Sequence, residues 1–448
     1  MSIVEATLFS LARAGTVALA SLAILLAAGP GICAASRGFR SWALWVVAAA
    51  LLTPGFSIAF LFQLVFMERS PGSREGLLAF LMFSRYAAAA LLVVWLTPAG
   101  TSAEAVHCLR GCAATSWWRR RVWEMRAFGR GLWLGCAVVF LLAFQEFEFA
   151  TTWNMRAWTV SLFDAQVGGL SLGESLRLAA LPFAIQAALI AMLAICARPG
   201  AAMPDVAGRL GSRGAIIVLP VVLALGFAMS ALVVVLEVVM APQTFLRSSV
   251  LALAPWREIA NSAGLSAVAT IFAWLLAGWI EGRRGWRWLF ALPGLLGPLL
   301  CGLMLLALLQ TPPLHLLRDT IFPAVLGLAL VLLPFALLLR FGIGTTRDRP
   351  ALHVARAAGA RRAVWQLDGW PRLCALLLLF CFGYGDFTIN ALLAPPQFTS
   401  AGVRLLNLMH YGPSASLIVM FCLAFVVPLG AALLTALAAR FYPQRRAG

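Results

Sequence analysis

The sequence predicts an all-α polytopic membrane protein, and three observations predict it. The chain has 448 residues, of which 62% are hydrophobic and only 11% charged, whereas soluble domains carry about a quarter charged residues. Apolar runs of the length that crosses a hydrocarbon core, about 20 residues, recur from end to end. None of them alternates as a transmembrane barrel strand would, and helices satisfy every backbone group internally in lipid.

Eleven such runs follow one another near 9–30, 43–66, 77–96, 131–150, 178–197, 215–240, 261–280, 288–310, 321–341, 372–392 and 414–440. The first is read as a span and not a cleaved leader. Its start holds Glu5 and a single arginine, Arg13, although Ala34, Ala35 and Ser36 would suit a cleavage site. The next four complete a first half, 1–200. A linker at 201–213, rich in small residues, leads to a second half, 214–448, with six spans.

The 34 basic residues are all arginine, against 17 acids, for a net charge of +17. A basic nucleic-acid-binding face needs polar surroundings, and these arginines punctuate apolar runs instead. Without lysine the chain carries no Gly-Lys-Ser/Thr phosphate loop, so nucleotide hydrolysis would belong to another chain. With the N-terminus outside, connections after odd-numbered spans hold 24 arginines and six acids, so they carry +18 against −1 elsewhere. This positive-inside bias leaves the C-terminus in the cytoplasm, beside anionic inner-leaflet lipid. The nine cysteines and four histidines are scattered, with neither disulfide nor metal-ligand spacing.

The halves repeat an order of features. Ala14-Gly15 and Ala263-Gly264 open corresponding spans, each ending at arginines (Arg37 and Arg40; Arg283 and Arg284). The following spans carry Pro54-Gly55 and Pro293-Gly294, and third spans lead to the longest basic loops, 98–130 and 342–372. The next spans end in acid-Phe pairs, Glu148-Phe149 and Asp386-Phe387. Beyond them Val160–Gly169 parallels Val403–Gly412, with an insertion around Ala394-Pro395-Pro396 in the second copy. Both halves then point the same way across the membrane, as in transporters built from parallel repeats.

Residues 353–371, HVARAAGARRAVWQLDGWP, resemble the cytoplasmic coupling loop of ABC-importer permeases. Ala355 fills the third place of that family's Glu-Ala-Ala triplet, Gly359 its glycine, and Pro371 its proline one residue early. His353 stands at the glutamate position and Gly369 at the isoleucine. Glu104, Ala105 and Gly111 form a weaker copy in the first half. The run LLAPPQFTSAGVRLLNLMHYG, Leu392 to Gly412, is similar to the fused permeases of ferric-iron and thiamine importers. Span order extends the resemblance over nearly the whole chain, apart from the absent first span of the first half.

The resemblance implies a type I ABC-importer permease of the bacterial inner membrane, with no catalytic chemistry or cofactor of its own. Its partners would be two copies of a separate ATPase on loops 98–130 and 345–372. A solute-binding protein would dock near 151–177 and 387–413, and ferric iron would be the substrate, ahead of thiamine, sulfate-like anions or polyamines. Ala357, Ala358 and Gly359 would form a low-relief coupling surface flanked by Arg356, Arg361 and Arg362.

Ionisable residues within spans are functional candidates. Glu146, Glu148 and Asp386 sit near the outer ends of their spans, where they could line a translocation path or lie at the interface. Arg85 and Glu237 suit structural pairing or placement at the interface and not catalysis. The alternative function is an ion-gradient-driven transporter or channel, which would use charged or discontinuous helices near the midplane.

Overall fold

Described from a computed structural model, the chain is helices and their connections, without a strand, over the described residues: 2–33, 71–96, 117–196, 239, 255–283, 286–346, 349–411 and 414–441. It divides into two compact units, Met1–Val233 and Val234–Gly448. Among the described residues six helices are long and apolar enough to cross a membrane, or up to eight if each of two bent pairs is one span. This is a multi-pass membrane architecture. The expected spans 43–66 and 215–240 and the linker 201–213 fall outside the described residues, apart from residue 239.

The first unit is built on α1 (Ile3–Cys33), α2 (Pro71–Leu96) and α3 (Trp117–Phe144). Arg13 of α1 pairs with Glu75 of α2, and Cys136 of α3 reaches the Ala18 carbonyl. Thus α1 and α2 run together while α3 runs against them. Small residues permit the tight approach: Ala87, Ala88 and Ala90 are buried on α2. A Cβ on Gly135 of α3 would stand 3.1 Å from the Ala90 carbonyl oxygen. Beyond α3 come α4 (Glu148–Thr152), α5 (Trp158–Val167), α6 (Leu172–Leu178) and α7 (Ala180–Cys196). Ser171 and Glu174 form a reciprocal capping box on α6. The expected span 178–197 is α7, and a 54° bend separates it from α6.

The second unit repeats this core with α8 (Pro255–Glu281), α11 (Phe322–Thr346) and α14 (Trp370–Gly385). Glu281 and Arg340 meet at the C-terminal ends of α8 and α11, at 2.8 Å, so these two are parallel. The Ser266 hydroxyl donates to the Phe380 carbonyl at 2.6 Å, with α14 antiparallel. Ala269, Ala273 and Ala277, spaced four apart, form a fully buried stripe on α8 that packs in one cluster with Ala329 and Ala336 of α11. Prolines occupy the first turns of α2, α8, α11 and α14 (Pro71, Pro255, Pro323, Pro371), where the missing N–H has no helical partner to lose.

Between α8 and α11 the expected continuous span 288–310 is two helices, α9 (Trp286–Leu295) and α10 (Pro298–Leu309), bent by 107°. Gly297 makes the break with a positive φ of 89°, and Pro298 starts the new helix. The bend seats against Pro334 of α11. A Cβ on Gly294 would collide with the Leu330 carbonyl, the acceptor that Pro334 cannot serve, and with the Pro334 ring. After α11 come α12 (Arg349–Ala357) and α13 (Arg361–Val364), then a π-helical turn, Trp365–Gly369, into α14. The unit closes with α15 (Thr388–Leu393), α16 (Ala401–Tyr411) and α17 (Ser414–Phe441).

Large apolar side chains point outward from both units, among them Leu19 at 67%, Trp133 at 66% and Leu275 at 65% exposure. Such a surface suits contact with lipid.

Candidate functional site

Two features stand out: a broken joint at one end of each unit, and a basic elbow at the other end of the second unit.

In the second unit α14 stops at Asp386, whose backbone is extended. Its carboxylate accepts the Ile389 amide at 2.9 Å, capping the short helix α15. Phe387 is 1% exposed. Two α8 side chains then fix the start of α16. Ser262 accepts the Ala401 amide at 2.8 Å, and Asn261 donates to the Thr399 carbonyl at 3.1 Å.

The first unit builds the same joint with different side chains. α3 stops at Phe144, the Glu146 carboxylate accepts the Phe149 amide at 2.9 Å, and Phe147 is 4% exposed. Ser10 of α1 accepts the Trp158 amide at 3.3 Å, at the first residue of α5. Arg13 donates to the Arg156 carbonyl at 3.1 Å, two residues before that helix, as Thr399 is two before α16. The structural equivalent of Asp386 is therefore Glu146, not Glu148 as the acid-Phe pairing suggests. Likewise Ser10 matches Ser262, which moves the Ala14-Gly15 correspondence three residues beyond Ala263-Gly264. The Val160–Val403 alignment agrees with the starts of α5 and α16.

The first joint also holds an ion pair. Arg85 of α2 pairs with Glu148 at 3.1 Å, with both side chains about one-seventh exposed. Tyr86 hydrogen-bonds Glu146, and the Thr159 hydroxyl donates to the Glu146 carbonyl at 2.7 Å. Gln145 donates to Gln186 of α7 at 2.8 Å. Of the translocation candidates, Glu146 and Glu148 are thus committed to ties inside their own unit. Asp386 is partly buried and caps α15. Sequence reasoning anticipated pairing for Arg85 but missed Tyr86, Gln145 and Gln186. Their signal is polarity inside otherwise apolar runs.

At the elbow, α12 ends in a Schellman turn. The Ala360 amide donates to the Ala355 carbonyl at 2.9 Å and the Gly359 amide to Arg356 at 3.1 Å. Gly359 takes φ +64°, and beyond its two chain neighbours no atom lies within 4 Å of where a Cβ would stand. Ala357, Ala358 and Gly359 are exposed at the tip, while Ala355 and Leu352 turn inward. Asp368, 7% exposed, ties the elbow together: Arg372 approaches it at 2.9 Å and Arg356 of α12 at 3.4 Å. Neither Asp368 nor Trp365 figured among the expected site residues. Pro371 stands at the second position of α14. Glu104, Ala105 and Gly111 lie outside the described residues, as does Glu237. No group of three His, Cys, Asp or Glu side chains that could hold a metal converges among the described residues.

No protein-family model, curated protein or solved structure matches the chain.

Proposed function

We propose that the chain is the permease subunit of an ATP-driven ABC importer, with eleven spans in two parallel halves of five and six. The observation that carries this reading is the elbow. Its exposed Ala357–Ala358–Gly359 tip allows close approach by a partner, and the Asp368 ties link that tip rigidly to α14. Sixteen residues of α14 then run, over about 24 Å, to the Asp386 joint. A push at the tip is delivered to the far joint through one continuous helix, which is rigid-body coupling.

On this reading two copies of an ATPase subunit grip the elbow and loop 98–130. Their closure on ATP drives the bundle from inward- to outward-facing. A solute-binding protein delivers ferric iron to the joints near 151–177 and 387–413, and the chain itself performs no chemistry. The membrane is the bacterial cytoplasmic membrane, with the N-terminus outside.

Tagged full-length chain purified from its host's membranes should bring an ATPase with it. Gly359→Trp has room for its side chain but strains the φ +64° turn, so it should lose ATP-driven uptake that Gly359→Ala, with the same strain and no bulk, retains. Intact assembly and ATP-driven uptake in the tryptophan variant would remove the coupling assignment.

The 107° break between α9 and α10 favours a second reading, an ion-gradient-driven transporter or channel, because discontinuous helices line such pathways. Uptake that follows an ion gradient without any ATPase would establish it.

A further inference from the structure

Between α12 and the π-helical turn lies a cavity of about 390 Å³, its walls including Arg356, Arg361, Val364, Trp365, Asp368 and Gly369. Gly369 shapes it, because the Trp365 indole occupies the space a Cβ would need. The volume is more than ten times the roughly 30 Å³ share of a water molecule, room enough for a phosphoglycerol group.

Charge and depth together indicate the occupant. Asp368 is ion-paired with both Arg356 and Arg372. Arg361 has no ion-pair partner among the described residues, so the cavity is left net positive. A helical segment long and apolar enough to cross a membrane begins at Arg361 itself, which would put the cavity where apolar core gives way to headgroups. Trp365 at 43% and Val354 at 65% exposure stand beside these arginines. Exposed apolar and aromatic groups next to arginine at that depth suit a lipid better than a wholly solvated acidic protein surface.

We propose that this cavity is a binding site for the phosphate headgroup of an anionic phospholipid. Arg361 and Arg356 take the phosphate, and the acyl chains follow the Trp365–Val364 wall. The site stands on the cavity alone and does not require the importer reading.

The test is native mass spectrometry of the full-length chain in detergent, titrated with phosphatidylglycerol or with phosphatidylcholine of the same chains. Saturable retention of phosphatidylglycerol over phosphatidylcholine is expected. Arg361→Gln should weaken it about fivefold, Arg361→Lys should keep most of it, and Arg318→Gln, an exposed arginine elsewhere, should change nothing. Trp365→Ala should weaken retention independently, which covers the case in which an arginine variant fails to fold. Equal retention of both lipids, or no loss in Arg361→Gln and Trp365→Ala, overturns the proposal. Equal displacement by glycerol 3-phosphate would make it a free-phosphate site, and displacement by poly-glutamate a protein-docking site. Either outcome overturns the lipid assignment.

Discussion

Replacing Gly359 with alanine isolates a single physical cost. The space around its missing Cβ is empty, so alanine meets no clash, and all of the penalty comes from holding an L-residue at φ +64°. That penalty is about 1–2 kcal/mol. It falls on the Schellman turn that closes α12, so it should open the Ala360–Ala355 and Gly359–Arg356 hydrogen bonds about five- to thirtyfold more often. Hydrogen exchange resolved at the Ala358–Ala360 amides in detergent or nanodiscs reads this directly. Gly359→Asn, whose side chain tolerates the left-handed region, should lose much less protection than Gly359→Ala. Gly359→Leu should match alanine, because the extra bulk points into open space. Protection unchanged in the alanine variant, or falling in proportion to side-chain size, would refute the assignment of cost to the backbone.

Arg85→Met should destabilise the first unit by about 3–5 kcal/mol, because Glu148 would be left charged and largely buried. Adding Glu148→Gln should restore part of that, as read by thermal unfolding in detergent. Ser262→Ala should cost about 1–2 kcal/mol by stranding the buried Ala401 amide. Ser10→Ala should cost less, because its bond to Trp158 is longer, 3.3 against 2.8 Å. Gly294→Ala should destabilise the second unit by about 1–3 kcal/mol, since its Cβ would enter the Leu330 carbonyl and the Pro334 ring. A melt unchanged from wild type would show that α9 can slide away from α11.

Apolar run length made the helices legible, because a hydrocarbon solvent leaves a chain few other options. It could not show the break between α9 and α10. Hydropathy continues unbroken across Leu296-Gly297-Pro298, and only the Gly-Pro step signals that the axis turns. The joint of the first unit was legible as an acid-Phe ending but not in its register. The stretch Gln145-Glu146-Phe147-Glu148-Phe149 contains that dipeptide twice, and only the capping bond to Phe149 selects Glu146. The elbow's glycine was legible as the break after Ala357-Ala358 in a basic stretch. Asp368 was not, because an isolated acid in a basic loop reads as a solvated charge until its two arginine neighbours are seen.

The paired joints also differ in a way that bears on how such halves diverge. Counted from the helix starts at Ile3 and Pro255, Arg13 stands one turn deeper in α1 than Asn261 stands in α8. Each nevertheless grips the carbonyl two residues ahead of the next helix. The longer side chain spans the additional rise of four residues, about 6 Å, that the shorter one avoids by standing closer. What persists between the halves is a donor delivered to one point in space, free to change both its residue type and its place in the helix. Matching the letters Ala14-Gly15 to Ala263-Gly264 pairs Arg13 with Ser262 and so misses the likeness, which lies in where the donor is delivered and not in which residue carries it.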